Sequence, residues 1–227
     1  MCGRYFAYDF TTMHSLFQLL NELDLPADYN ITPGRDVACI VAATDGNRIA
    51  ILRWGLVPFW AKDPTIGNRL INARSETVAE KPAFREAFRN RRCLVPMNGF
   101  FEWQQQAGGP RQPWAIASTQ QPLFAVAGIH STWSVREQAT ASRGPENPLQ
   151  SMALLTREAA PDMAFIHPRM PLILQPSDYQ TWLAGDRHQA LELIASNQPP
   201  PLRFWSVSTR VNSPRNNELS LLEEVTP

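Results

Sequence analysis

Strand-like and helix-like segments follow one another along this chain without a regular strand–helix–strand rhythm, and this pattern constrains its fold most. Apolar runs with strand character lie on both sides of Asp45-Gly46, a dipeptide typical of hairpin turns. Parallel sheets need repeated long crossover connections, usually helices, and the pattern lacks them. We therefore predict a single α+β domain with a largely antiparallel, barrel-like β-sheet and flanking short helices.

The predicted elements are short and numerous. Strands are expected at residues 38–44, 48–56, 92–103, 113–118, 123–133, 152–156, 169–175 and 203–211. Helices are expected at 11–23, 82–89, 161–165, 177–183 and 188–196. Residues 135–150 are polar and contain several turn formers, which predicts a flexible loop inside a single domain over 1–227. Residues 213–227 are a tail without predicted structure.

The composition excludes several classes of protein. An apolar fraction of 44% is ordinary for a globular protein, and no apolar run reaches the roughly 18–20 residues that span a membrane. The three cysteines form no CxxC pair, which argues against a disulfide scaffold or a zinc site. We expect no metal and no cofactor, and a monomeric, cytoplasmic protein. Cys39 and Cys93 lie in apolar runs and are predicted core residues.

The basic residues are almost all arginine. The formal net charge is zero, yet Lys62 and Lys81 are the only lysines among 21 basic residues, which leaves 19 arginines. Arginine suits two-point binding of phosphate and stacking on bases better than lysine does. A GC-rich genome explains the same bias, so a DNA-binding face is predicted only as a local patch.

Cysteine stands directly after the first methionine. A small residue there usually allows Met1 to be removed, which would leave Cys2 with a free α-amine beside its thiol. Both groups have reference pKa values of about 8, so each supplies a nucleophilic fraction near neutral pH. Such a 1,2-aminothiol condenses with an aldehyde to an imine and then closes to a thiazolidine ring. The plainer interpretation is an incidental cysteine, because small residues are common at this position.

Polar residues in otherwise apolar surroundings mark three further segments. Asn72, Arg74 and Glu76 alternate, so they share one face of an extended chain. Glu102 is a lone carboxylate among aromatic residues, and His167 lies in a proline-rich loop. Each has a plainer interpretation: an edge strand that faces solvent, a surface ion pair across a hairpin, or a loop histidine. Together with Cys2 they are what a covalent aldehyde-capturing site would need.

The chain resembles the SRAP (SOS response-associated peptidase) family over nearly its whole length. Two departures from the family pattern are small, with Thr32 where alanine is common and Pro168 where an acidic residue is often found. The resemblance rests on six motifs in the order of the family: Cys2-Gly3-Arg4, Tyr29-Asn30-Ile31-Thr32-Pro33-Gly34, Trp54-Gly55-Leu56-Val57-Pro58 with Trp60, Ile71-Asn72-Ala73-Arg74-Ser75-Glu76, Gly99-Phe100-Phe101-Glu102-Trp103, and Ile166-His167-Pro168-Arg169-Met170-Pro171.

The resemblance implies a protein that binds abasic sites in single-stranded DNA, including single-strand/double-strand junctions, and is nucleoid-associated when bound. It implies a covalent thiazolidine crosslink through Cys2 after Met1 is removed. Glu102 would hold the α-amine and move its proton, and Asn72 would hydrogen-bond the opened sugar or the Cys2 backbone. His167 would protonate the sugar ring oxygen.

Further residues are expected to contact DNA, the arginines through phosphates and the tryptophans by stacking on bases. Core packing is the plainer interpretation of each tryptophan. Two other functions stay open, a cysteine peptidase limited to self-maturation and a non-covalent single-strand-binding module in which Cys2 is idle. The expected DNA-contacting residues are Arg4, Asn30, Pro33, Trp54, Trp60, Arg74, Trp103 and Arg169.

Overall fold

The computed structural model describes residues 2–134 and 148–226. Its strands are β1 Tyr5–Ala7, β2 Asp28–Ile31, β3 Asp36–Ala43, β4 Gly46–Trp54, β5 Asn72–Arg74, β6 Arg92–Met97, β7 Gly99–Gln104, β8 Gln112–Ser118, β9 Phe124–Trp133, β10 Leu149–Glu158, β11 Arg169–Pro171, β12 Ile173–Leu174 and β13 Leu202–Ser206. Its α-helices are α1 Met13–Phe17, α2 Arg85–Asn90, α3 Tyr179–Ala184 and α4 Arg187–Ser196. Four 3₁₀ turns lie at Pro64–Arg69, Pro176–Asp178, Thr209–Asn212 and Leu219–Leu222.

The larger sheet closes into a ring. Strands β10, β4, β3, β6 and β9 pair in that order, and β10 returns to pair with β9. All these pairings are antiparallel except that of β10 with β4, and the short β5 also runs parallel to β10. Closure leaves few exposed strand edges, which are a liability in open sheets. The predicted α+β domain with a largely antiparallel, barrel-like sheet is confirmed.

A second sheet of five strands lies beside the ring in the order β13-β8-β7-β1-β2. Side chains alternate between its two faces. Phe100 and Ile116 on one face join the core of the ring, whereas Phe6 and Phe101 on the other face pack against Val211 and its neighbours. Residues 207–226, here called the C-terminal segment, cover this second face through the two last 3₁₀ turns.

Two predicted elements are shorter or divided in the structure. The helix expected at 11–23 ends at Phe17, because Gln18 adopts a left-handed conformation with φ of 51°. The strand expected at 92–103 is two strands, since Asn98 interrupts it. The Asn98 side chain accepts hydrogen bonds from the backbone N–H groups of Tyr8 and Asp9, so β6 enters the ring and β7 enters the second sheet.

Other expectations also need correction. The helix expected at 161–165 is a series of turns, and the strand expected at 203–211 ends at Ser206. The predicted loop at 135–150 lies mostly outside the described residues, but its last two positions already belong to β10. Within the two described ranges, no helix has the length and apolarity needed to cross a membrane.

Candidate active site around Cys2

Cys2 is buried three residues before β1 begins, where three sequence motifs meet. The Asn72 side-chain amide donates a hydrogen bond of 2.7 Å to the Cys2 carbonyl. Burial raises the pKa of the Cys2 thiol well above its usual range, and the negative charge of Glu102 raises it further. The structure therefore brings Cys2, Asn72 and Glu102 together, although they are far apart in sequence.

Glu102 reaches this site because β7 pairs with β1 on one side and with β8 on the other. Its side chain is only 3% exposed, which rules out the alternative of a surface ion pair. Burial disfavours the charged carboxylate and raises the pKa of Glu102 to about 7. A carboxyl group with this pKa can both accept and donate a proton near neutral pH.

Asn72 is supplied by β5, which lies parallel to β10 with Asn72 opposite Leu154. The alternation predicted from the sequence is present, with Ala73 buried between the half-buried Asn72 and the exposed Arg74. The Asn72 Oδ1 atom is buried and has no hydrogen-bond partner among the described residues. A buried acceptor of this kind is costly unless a donor meets it, so it is suited to a donor that arrives with the reacting groups.

His167 lies in a loop that is held from both sides. On one side, the side chain of Gln104, two residues after Glu102, donates a hydrogen bond of 3.2 Å to the Phe165 carbonyl. On the other side, the Arg169 guanidinium donates a hydrogen bond of 2.6 Å to the Thr156 carbonyl on β10. The backbone nitrogen of Arg169 lies 3.0 Å from His167 Nδ1. Nδ1 also lies 3.0 Å from the Arg169 carbonyl, so in the neutral imidazole it either accepts from the N–H or donates to the carbonyl, according to the tautomer. Burial lowers the pKa of His167, which favours this neutral form.

Arg169 is neutralised by Glu76 through two hydrogen bonds of 2.6 and 2.9 Å. This hydrogen bonding holds the pKa of Glu76 below its ordinary value. Arg169 thus acts first as the anchor of the His167 loop, a role that the sequence did not indicate. Glu76 and Thr156 were missed as site residues. The alternation of Asn72, Arg74 and Glu76 was the available signal for Glu76, and no local signal pointed to Thr156.

Arg4 and Trp103 lie on the other face of the second sheet. One nitrogen of the Arg4 guanidinium donates hydrogen bonds to Asn30 Oδ1 at 2.7 Å and to the Val211 carbonyl at 2.6 Å. The guanidinium also lies 5.7 Å from the centre of the Trp103 ring. Trp103 Nε1 donates 2.7 Å to Asn212 Oδ1. Both side chains are therefore engaged with the C-terminal segment, on the face opposite to Glu102.

Asn30 and Trp54, two of the residues expected to contact DNA, are buried in this structure. Asn30 has no exposed surface, and its amide donates to the carbonyls of Ser213 at 3.0 Å and Asn216 at 2.7 Å. Trp54 is 1% exposed and donates 2.9 Å to the Ile71 carbonyl. In this arrangement neither side chain presents a surface to a base or a phosphate.

Of the remaining predicted DNA-contacting residues, Arg4, Trp103 and Arg169 are half-buried and make the contacts described above, and three others are also at least partly accessible. Trp60 is 46% exposed, Arg74 is exposed, and Pro33 is half-buried. Trp60 borders a depression of about 660 Å³ that Lys62 and Arg69 also line. No described residue forms an ion pair with Arg74, so its charge is available.

Two bacterial relatives match this chain over nearly its whole length, and a vertebrate relative matches most of it. It is 34% identical to the abasic site processing protein YoqW of Bacillus subtilis, over 98% of this chain and 99% of that protein. It is 31% identical to the abasic site processing protein YedK of Escherichia coli, over 99% and 100% of the two chains. The abasic site processing protein HMCES of Gallus gallus is 33% identical over 73% of this chain and 54% of its own length.

Solved structures agree on the fold. A crystal structure of a protein from Bacteroides thetaiotaomicron superposes with a TM-score of 0.82 at 21% identity and covers all of both chains. The sequence profile described as SOS response associated peptidase (SRAP) matches residues 1–214. With this match over most of the chain and relatives above 30% identity over nearly all of it, the protein belongs to the SRAP family.

Proposed function

We propose that this protein processes abasic sites in DNA by forming a covalent crosslink through Cys2. The target is an abasic site in single-stranded DNA, including single-strand/double-strand junctions, and the protein acts as a monomer. The observation that carries the proposal is the meeting of Cys2, the Asn72 amide and the buried Glu102 carboxyl at one point. Curated relatives at 31–34% identity are named abasic site processing proteins, which supports the same function.

The chemistry begins once Met1 is removed. The ring-opened abasic deoxyribose presents an aldehyde at C1′, and the Cys2 α-amine attacks this carbon to give a carbinolamine. Loss of one water forms the imine. The Cys2 sulfur then adds to the imine carbon while its proton leaves and the nitrogen gains a proton, which closes the thiazolidine. The net change is aldehyde plus aminothiol to thiazolidine plus one water.

Protein groups supply the proton transfers. Glu102, with a pKa of about 7, accepts the proton of the α-amine before attack and assists transfer of the thiol proton. The buried Asn72 Oδ1 accepts a hydrogen bond from the α-amine, while its amide keeps the Cys2 carbonyl in place. His167, whose Nδ1 contacts the Arg169 backbone, offers Nε2 to the sugar ring oxygen, and a proton on that nitrogen promotes ring opening.

DNA is held by the accessible residues near this site. Arg74 lies two residues from Asn72 on β5 and binds a phosphate beside the lesion. Trp60 offers an exposed ring for a neighbouring base. Arg4, Asn30 and Trp103 contribute by holding the C-terminal segment rather than DNA.

The state of the Cys2 thiol disfavours a general cysteine peptidase. Peptidase cysteines are activated by a lowered thiol pKa, usually with a histidine partner. Here burial raises the pKa of Cys2, and its Sγ lies 4.0 Å from the Arg4 carbonyl. We therefore favour crosslinking over general peptidase activity, and removal of Met1 is the one peptide cleavage that the mechanism requires.

The test is a denaturing gel of purified protein incubated with a single-stranded oligonucleotide that carries one abasic site. Wild-type protein should give a heat-stable shifted band. Cys2→Ala should abolish it, and Cys2→Ser should give only a labile imine. Cys93→Ala, which removes another buried cysteine, is the matched control and should retain the band. A band that persists in Cys2→Ala, or a wild type that binds only non-covalently, would contradict the proposal.

A further inference from the structure

An exposed aromatic cluster lies beside the His167 loop, and the reaction described above does not use it. Phe165, two residues before His167, is 51% exposed. Its ring meets Trp114 edge-on at 5.4 Å and 88°, and Phe204 at 6.1 Å and 73°. We call these three residues the aromatic ledge. A phenylalanine this exposed is unusual for its residue type, which is mostly buried.

The ledge is built onto the same sheet face as Glu102. Trp114 on β8 is paired directly with Glu102 on β7, and directly paired residues in antiparallel strands point to the same side. Phe204 on β13 is paired with Ile116, two residues along β8 from Trp114, so it also lies on that face. The ledge therefore continues the surface that carries the proton-transfer carboxyl.

Gln104 fixes the ledge in place. Its Nε2 atom donates a hydrogen bond of 3.2 Å to the Phe165 carbonyl, and its Oε1 atom accepts a hydrogen bond of 3.1 Å from Trp114 Nε1. One side chain thus holds both the loop that carries Phe165 and the indole against which the Phe165 ring rests. Such support gives an exposed ring a defined position, which an isolated surface phenylalanine lacks.

The residues around the aromatic ledge favour a nucleotide as its ligand. Arg111 is exposed, and only its Nε has a hydrogen-bond partner among the described residues, the Gln105 side chain at 3.0 Å. Its positive charge is among the influences that lower the pKa of His167, after burial, so Arg111 lies near the histidine that Phe165 precedes by two residues. An exposed ring and a cation near the same residue match a base and its phosphate.

We propose that Phe165 stacks on the base of a nucleotide directly next to the abasic sugar, with Trp114 and Phe204 as its support. This inference rests on the proposed function and assigns a base-stacking site distinct from Trp60, which lies in the segment between β4 and β5. A base seated at the ledge holds the lesion against His167 and Cys2 without reading its identity, because every base has a π-face.

The test uses oligonucleotides with a tetrahydrofuran abasic analogue, which has no aldehyde and so reports binding alone. The fluorescent base 2-aminopurine is placed immediately 5′ or 3′ of the analogue, because stacking quenches it. Wild-type protein should quench one of the two probes. Phe165→Ala should abolish that quenching and weaken binding about 5- to 100-fold. Phe165→Trp should restore both, and Leu20→Ala, which truncates an equally exposed side chain, should leave both unchanged.

Phe165→Leu guards against misfolding, since it keeps apolar cover over Trp114 but removes the π-face. It should melt close to the wild type and still lose the quenching. If Phe165→Ala and Phe165→Leu quench and bind like the wild type, the ledge is only a cover for the core and the inference is overturned, while crosslinking by the wild type upholds the proposed function. If the wild type neither binds the analogue nor crosslinks a natural abasic site, both proposals fail.

Discussion

The two faces of the five-stranded sheet differ in what covers them. On one face, Glu102 and Trp114 lie toward Cys2 and the His167 loop. On the other, Arg4 and Trp103 are tied to the C-terminal segment. Glu102 and Trp103 are consecutive residues, so a single step along β7 separates a residue of the candidate reaction from one that holds the fold. Polar residues in one motif can therefore serve opposite purposes.

This difference has a physical origin in how each face satisfies its polar groups. On the side of Arg4 and Asn30, most donors meet carbonyls of Val211, Ser213 and Asn216, and Arg4 Nε alone of these is buried without a hydrogen-bond partner among the described residues. Near Cys2, the Asn72 Oδ1 is buried without a hydrogen-bond partner among the described residues, and burial raises the pKa of Glu102 to about 7. Paired polar groups stabilise a fold, whereas a buried acceptor such as Asn72 Oδ1 and a carboxyl with a pKa of about 7 are suited to chemistry.

The largest effect is expected from Glu102→Gln, which removes the titrating carboxyl and keeps the shape. We expect the single-turnover rate of crosslinking to fall about 100- to 10,000-fold. In the wild type the rate should rise with pH through about 7, where the Glu102 carboxyl loses its proton and becomes a base. The variant should lack that inflection. If the variant has the wild-type rate and pH profile, Glu102 takes no part in the reaction.

The second test addresses the opposite face through Asn30→Ala. This change leaves the Ser213 and Asn216 carbonyls and one Arg4 donor with fewer partners, so the free energy of unfolding should fall by about 2–4 kcal/mol. Crosslinking by the protein that remains folded should be unchanged. The measurement is urea unfolding followed by fluorescence, with crosslinking assayed below the transition.

Asn47→Ala is the matched control for this test, because Asn47 is also buried but its amide donates to one carbonyl, that of Phe17. It should lose less stability than Asn30→Ala. An Asn30→Ala protein of full stability that binds DNA weakly would mean that Asn30 serves the DNA site after all, and the contrast between the two faces would be lost.

The smallest effect is expected from Arg74→Ala, which removes one phosphate contact. Binding to single-stranded DNA should weaken several-fold, and the slope of log K against log salt should become shallower by about 0.7. Fluorescence anisotropy over a salt series measures both. Arg48→Ala is the control, because Arg48 is an exposed arginine already paired with Asp45. Equal slopes in the two variants would show that Arg74 does not contact phosphate.

Much of the fold could be predicted from the chain alone. The hairpin around Asp45-Gly46 and the short α4 helix have strong local signals, and both are present. Strands β1, β2 and β5 were missed because three or four residues carry too little periodicity. The division at Asn98 was missed because it depends on hydrogen bonds to Tyr8 and Asp9, about 90 residues away.

The candidate site was partly predictable, because its motifs are visible in the sequence whereas the burial of its side chains is not. Motif order identified Cys2, Asn72, Glu102 and His167; a hydrogen bond joins Asn72 to Cys2, and the charge of Glu102 acts on the Cys2 thiol. Burial decides between stacking and packing for a tryptophan, and it depends on the whole fold, so Trp54 could not be distinguished from Trp60 in advance.

The most direct test of the central claim is mass spectrometry of the crosslinked product after nuclease and trypsin digestion. The account predicts an amino-terminal peptide that begins at Cys2, ends at Arg4 and carries the abasic sugar remnant with the loss of one water. Crosslinked material that retains Met1, or that carries the sugar on any residue other than Cys2, would contradict it.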